Sequence, residues 1–138
     1  MTAVQKLKRE ILLSAIDMFP DQGFDFSDVE ITEENVNDLF MEFENGDQSS
    51  ECMNEFRSNG IDTGLSCDYS RHYVSKAVAV KTVDGSWVGW TYLFGGGKYS
   101  DPSAVEWMKD AYDVAVDEQE KLVVVREFRK VYKEKSDG

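Results

Sequence analysis

Two alternating apolar segments meet at Asp84-Gly85, and no other stretch restricts the folding of this chain as tightly. Residues 72–83 read HYVSKAVAVKTV and residues 86–94 read SWVGWTYLF. Asp-Gly between two period-two runs is a strong local β-hairpin signal, because both residues tolerate the positive φ that tight hairpin turns need. β-Branched and aromatic side chains suit a pleated surface. Val74, Val78 and Val80 share one face of the first strand. Val88, Trp90, Tyr92 and Phe94 share a face of the second, and Trp87, Gly89, Thr91 and Leu93 take the other. Apolar groups on both faces place the second strand inside a sheet, covered on each side.

The N-terminal half has a helical period. Val4, Leu7, Ile11, Leu12, Ala15 and Phe19 recur at three- and four-residue spacing over 3–19, and Pro20 ends the run. Phe24, Phe26, Val29 and Ile31 alternate with polar residues, in a stretch that fits either a short extended piece or a loop. Thr32 is an expected N-cap for a second helix to about Glu44, with Val36, Leu39, Phe40 and Phe43 as its stripe. Asn35 stands where a capping box would have Glu or Gln. A third short helix is expected around 50–58, and 61–68 reads as loop. Beyond the hairpin, Ser100 or Asp101 followed by Pro102 opens an expected helix to about Val114. A last strand is expected over Leu122–Tyr132. The resulting fold class is α+β: N-terminal helices on a small three-stranded, mainly antiparallel sheet, with a helix between the second and third strands. A chain of 138 residues is expected to form one domain, with a mostly helical half 1–68 and a sheet-forming half 69–138.

Charge is strongly segregated between these halves. The chain carries 27 acidic and 15 basic residues, a formal net charge of -12. Residues 17–68 hold fifteen of the acids and a single base, Arg57, whereas 69–138 are balanced. Such a surplus repels nucleic acid and anionic membranes at long range, so neither is an expected direct partner. No apolar run approaches a membrane span, and the N-terminus lacks the apolar core of a signal peptide. A cytoplasmic protein is the expectation.

Motifs of defined chemistry fail on their spacing. The glycine run 95–97 with Lys98 lacks the Walker pattern, since Tyr92 and Tyr99 stand where Gly and Ser or Thr are required. DQGFDFSDVEIT does not fit an EF-hand loop. His72 is the only histidine, and Cys52 and Cys67 are the only cysteines. They make neither a metal set nor a triad by spacing, so no cofactor, metal or catalytic residue is assigned.

Residues 84–98, DGSWVGWTYLFGGGK, with DPSAVEWM at 101–108, resemble a segment of small uncharacterised phage and bacterial proteins. The resemblance covers about a fifth of the chain. It implies a small accessory protein acting on a host component, and carries no activity or site residue with it.

Three functional readings follow. The first is a non-enzymatic acidic interaction module, such as a DNA mimic or inhibitor that occupies a basic, nucleic-acid-binding host protein. Glu34, Asp38 and Glu42 step by four along the second helix and, with Glu33 and Glu44, are its partner-binding candidates. The second is a small-ligand or anion site, or an enzyme, at the glycine turn, with Gly95, Gly96, Gly97, Lys98, Tyr99 and Trp107 as candidates. The third is a structural homo-oligomer.

Overall fold

The computed structural model describes residues 1–67, 70–96 and 101–132. Its centre is the hairpin of β2 (Val74–Lys81) and β3 (Trp87–Phe94), paired in antiparallel register from Val74 opposite Phe94 to Lys81 opposite Trp87. The turn is longer than a two-residue Asp-Gly loop. Thr82 N–H donates to the Ser86 carbonyl at 2.7 Å, and Gly85 takes φ 89°. Asp84 holds this loop from inside, accepting from the Thr82 hydroxyl and the Ser86 hydroxyl, each at 2.6 Å, and from Ser86 N–H at 3.0 Å.

Three helices pack together on one side of the sheet. They are α1 (Ala3–Met18), α2 (Val36–Glu44) and α3 (Ser49–Ser58). Of these, α1 meets the sheet at β3 and at its last strand, β4 (Tyr112–Val114). Thr2 and Gln5 cap α1 reciprocally, side chain to backbone in both directions. Leu7, Ile11, Leu12 and Ala15 of α1 join Val36, Phe40 and Phe43 of α2, Cys52 of α3, and Val78, Val88 and Trp90 of the hairpin in one core. Trp90 is fully buried. Its ring lies 5.5 Å from both Phe56 and Trp107, and its indole N–H donates to the Arg57 carbonyl at 3.2 Å. The expected N-cap at Thr32 is corrected: α2 starts at Val36 with Asn35 as its N-cap and no side-chain cap bond, and Asn35 Oδ1 instead accepts from Thr32 N–H at 2.7 Å in the turn before the helix.

The expected three-stranded sheet is corrected to four strands, all antiparallel, in the order β1-β2-β3-β4. β1 (Ile61–Asp62) lies in the stretch read as loop and pairs with Val78 and Ala79. Two residues are too few to show a period. β4 (Tyr112–Val114) pairs with Trp87–Gly89 and occupies the end of the expected helix. That helix reduces to a single 3-10 turn, Pro102–Ala104. Glu106 Oε1 accepts from the N–H groups of Met108 and Lys109 at 3.0 and 3.2 Å. A side chain that satisfies these donors locally competes with helical hydrogen bonding. Gly89 offers the bare backbone on which β4 settles: a Cβ there would meet Tyr112 Cε2 and Val114 Cγ2 at 2.9 Å. The expected last strand Leu122–Tyr132 is also corrected, because residues 115–132 form no regular structure and the sheet ends at β4. Phe24 and Phe26 are not extended either; they stack in a turn with ring centroids 4.8 Å apart, both against Phe43.

Candidate functional site

Glu33, Glu34, Asp38, Glu42 and Glu44 are all exposed. The opposite side of α2, with Val36, Phe40 and Phe43, is buried, which fixes the rotation of the helix. The acids do not form one row. α2 starts at Val36, so Glu33 and Glu34 lie in the turn that precedes it; at 3.6 residues per turn, Asp38 and Glu42 follow one line and Glu44 falls on the opposite flank. Glu44 borders a groove of about 410 Å3 beside α1, together with Lys8 and Lys109. Lys8 also donates to Asn37 Oδ1 at 3.1 Å and sits 5.7 Å from the Phe40 ring centre. Glu33 lies 3.8 Å from the N-terminal ammonium. Glu33 and Glu44 therefore both have cations in their surroundings.

Glu42 faces the other way, into a groove of about 350 Å3 between the 22–26 turn and the segment joining α2 to α3. Asp25 and Asp47 line the same groove, over a floor that includes Phe24, Phe26 and Phe43. A Gln48–Gln22 side-chain hydrogen bond of 3.1 Å spans it. Asp38 and Glu42 thus lead along α2 toward two further exposed acids that come from other parts of the chain. No sequence spacing joins Asp25 and Asp47 to Glu42, because their proximity arises from two turns separated by a helix. Among the described residues, no three or more His, Cys, Asp or Glu side chains are arranged to hold a metal ion.

Of the glycine-turn candidates, Gly95, Gly96 and Trp107 are among the described residues, and Gly96 and Trp107 line different grooves. Gly95 and Gly96 have φ 70° and 67°, in the left-handed region. A Cβ on Gly96 would fall on the His72 carbonyl oxygen, so this position admits only glycine without movement. A groove of about 450 Å3 beside Gly96 is lined by residues 70–75. Trp107 is instead only 8% exposed, in the core against Trp90, and borders the Glu44 groove. Gly97, Lys98 and Tyr99 lie outside the described residues.

The strongest polar network is elsewhere. Arg9, itself buried, donates to Asp84 at 3.1 Å, and Glu10 accepts from Val83 N–H at 2.6 Å, so α1 is tied to the hairpin turn. The two Ser86 donors, the Thr82 hydroxyl and Arg9 hold the Asp84 carboxyl well below the ordinary carboxylate range. Burial raises Glu10 above it, against the pull of the Val83 amide and Arg9. Burial likewise raises the Cys52 thiol, which disfavours a thiolate nucleophile there. These groups belong to the scaffold: none lines the acidic groove.

Comparison of the chain with protein-family models, with curated proteins and with solved structures finds no match. Function is therefore argued from the geometry.

Proposed function

We propose that the protein is a non-enzymatic interaction module whose acidic surface occupies a basic partner protein. The surface comprises Asp38 and Glu42 of α2 and Glu34 in the turn before it, with Asp25 and Asp47 at the adjoining groove. The observation that carries this reading is the common exposure of these acids, two of them on a helix whose other side is anchored in the core. Asp38 and Glu42, about 6 Å apart along the helix, present negative charge from a fixed backbone, as a phosphate backbone does, so that only side-chain freedom is lost on binding. Complementary potential accelerates encounter and makes it salt-sensitive. A partner that ordinarily binds nucleic acid is the class this favours, consistent with an accessory protein directed at a host component. Glu33 and Glu44, beside cations, contribute less.

The test is affinity capture by the full chain and by E34Q/D38N/E42Q at two salt concentrations, with duplex DNA as competitor. Basic proteins retained at low salt, released by DNA and lost with the variant support the reading. An unchanged captured set with the variant at low salt overturns it.

A further inference from the structure

Residues 121–132 are a β-prone segment without a partner, next to an open sheet edge. Leu122, Val123, Val124, Val125, Phe128 and Val131 are exposed, and Val124, the least exposed of them, keeps 72% of its surface. Their alternation gives one row with Leu122, Val124 and Phe128 and another with Val123, Val125 and Val131. β4 is the end strand of the sheet, and among the described residues no strand pairs with its outer side. An apolar strand beside an unpaired edge is ordinarily resolved by pairing.

Charge says with what. Residues 110–120 contain five acids and no base, whereas 121–132 contain four bases and one acid. The chain thus carries an acidic block through its edge strand, followed at once by a basic apolar block. We propose that two copies exchange these segments, each placing residues 121–132 antiparallel along the β4 edge of the other. Antiparallel exchange sets the basic block of one copy against the acidic block of the second, and the twofold arrangement satisfies both pairs together. With Lys121 opposite Glu118, the same antiparallel register sets Arg126 opposite Asp113 on β4. Val114 and Val116 continue this edge into an apolar groove of about 290 Å3 floored by Ala79 and Trp87. The added strand extends that apolar surface. Two segments with six large apolar side chains each suffice for an interface above the roughly 1,000 Å2 that a specific contact requires. Residues 115–120 supply the reach, about 20 Å when extended.

The test is light scattering on the full chain across the micromolar range at low and high salt, combined with amide hydrogen exchange. The expected result is a two-chain mass that shifts toward one chain on dilution and with salt, and protection of amides 122–132 in the dimer. V124E/F128E, at side chains exposed in the protomer, yields a folded monomer, with its fold checked by near-ultraviolet circular dichroism. E34Q/D38N/E42Q leaves the dimer intact, which separates this proposal from the interaction surface of α2. A single-chain mass throughout overturns it, whether the amides are protected, as for a segment folded back on its own body, or open, as for one held for a different partner. A dimer that V124E/F128E leaves unchanged overturns it equally.

Discussion

The Arg9 guanidinium lies 3.1 Å from the Asp84 carboxylate and so fastens the first helix to the hairpin turn. Asp84 simultaneously closes the turn through Thr82 and Ser86. One carboxylate therefore serves both the local geometry of the loop and its docking.

Its depressed pKa gives a signed pH dependence. A carboxyl with a lower pKa in the folded state contributes stability above the unfolded value of about 3.9, and that contribution fades as pH falls below it. Asp84→Asn is expected to lower the melting temperature at neutral pH, with the gap to the wild type narrowing under acid. Thermal melts at a series of pH values check this; a gap that stays constant down to the acid limit contradicts it.

Glu10 has the opposite sign. Its side chain is 12% exposed and its pKa is raised by burial, so the folded protein loses stability as pH rises from about 4.3 through the folded value. Glu10→Gln keeps an oxygen for Val83 N–H and removes the buried charge. The variant should be at least as stable as the wild type at neutral pH, and the two should converge under acid. Denaturant titrations at both pH values measure it.

Gly60 separates α3 from β1 at a point of close approach. A Cβ there would meet Val78 Cγ2 at 2.7 Å and Trp90 Cζ2 at 3.0 Å, both in the core. Gly60→Ala is expected to cost about 1–3 kcal/mol through overpacking. For a chain of this size that is a melting-temperature loss of roughly 3–10 °C. An unchanged melting temperature would mean that the contact relaxes freely.

Like charges four residues apart oppose a helix. Within α2 the one such acid pair is Asp38–Glu42, and Asp38 also sits in the first turn, where its charge favours the helix dipole; Glu42→Gln removes the repulsion alone and is expected to stabilise the fold by about 0.2–0.5 kcal/mol at low salt. Urea titration of the variant reads the gain. A loss of stability would show that this carboxylate holds the structure rather than faces a partner.

What could be read from the sequence was local. The stripes of Leu7, Ile11 and Leu12 and of Val36, Phe40 and Phe43 mark helices whose buried faces match them. The hairpin runs declare themselves through alternation around Asp84-Gly85, but the register is not theirs to give: a two-residue loop would set Val83 opposite Ser86, whereas the loop is one residue longer and Thr82 stands there. What could not be read was decided between distant segments. Ala104, Val105, Met108, Ala111 and Tyr112 carry a respectable helical period, yet Glu106 closes its own turn and Gly89, far away in sequence, offers Tyr112 a place in the sheet. Leu122–Tyr132 has every local property of a strand, but a strand needs a neighbour, and among the described residues this segment pairs with none. For the candidate site, exposure of the α2 acids followed from the stripe opposite them. Their division between two flanks, and the approach of Asp25 and Asp47 to Glu42, depended on how the turns fold back.

The docking of α1 also has a consequence for synthesis. This helix leaves the ribosome before the hairpin does, but the core that holds Leu7 and Ile11 includes Val88 and Trp90, and the anchor of Arg9 lies 75 residues further along. At about 5–20 residues per second, several seconds pass before the hairpin emerges. During that interval a sixteen-residue helix, only marginally stable by itself, carries a bare apolar stripe. The nascent chain is then a natural client for chaperones, and its exposure to them ends only when translation has passed Phe94.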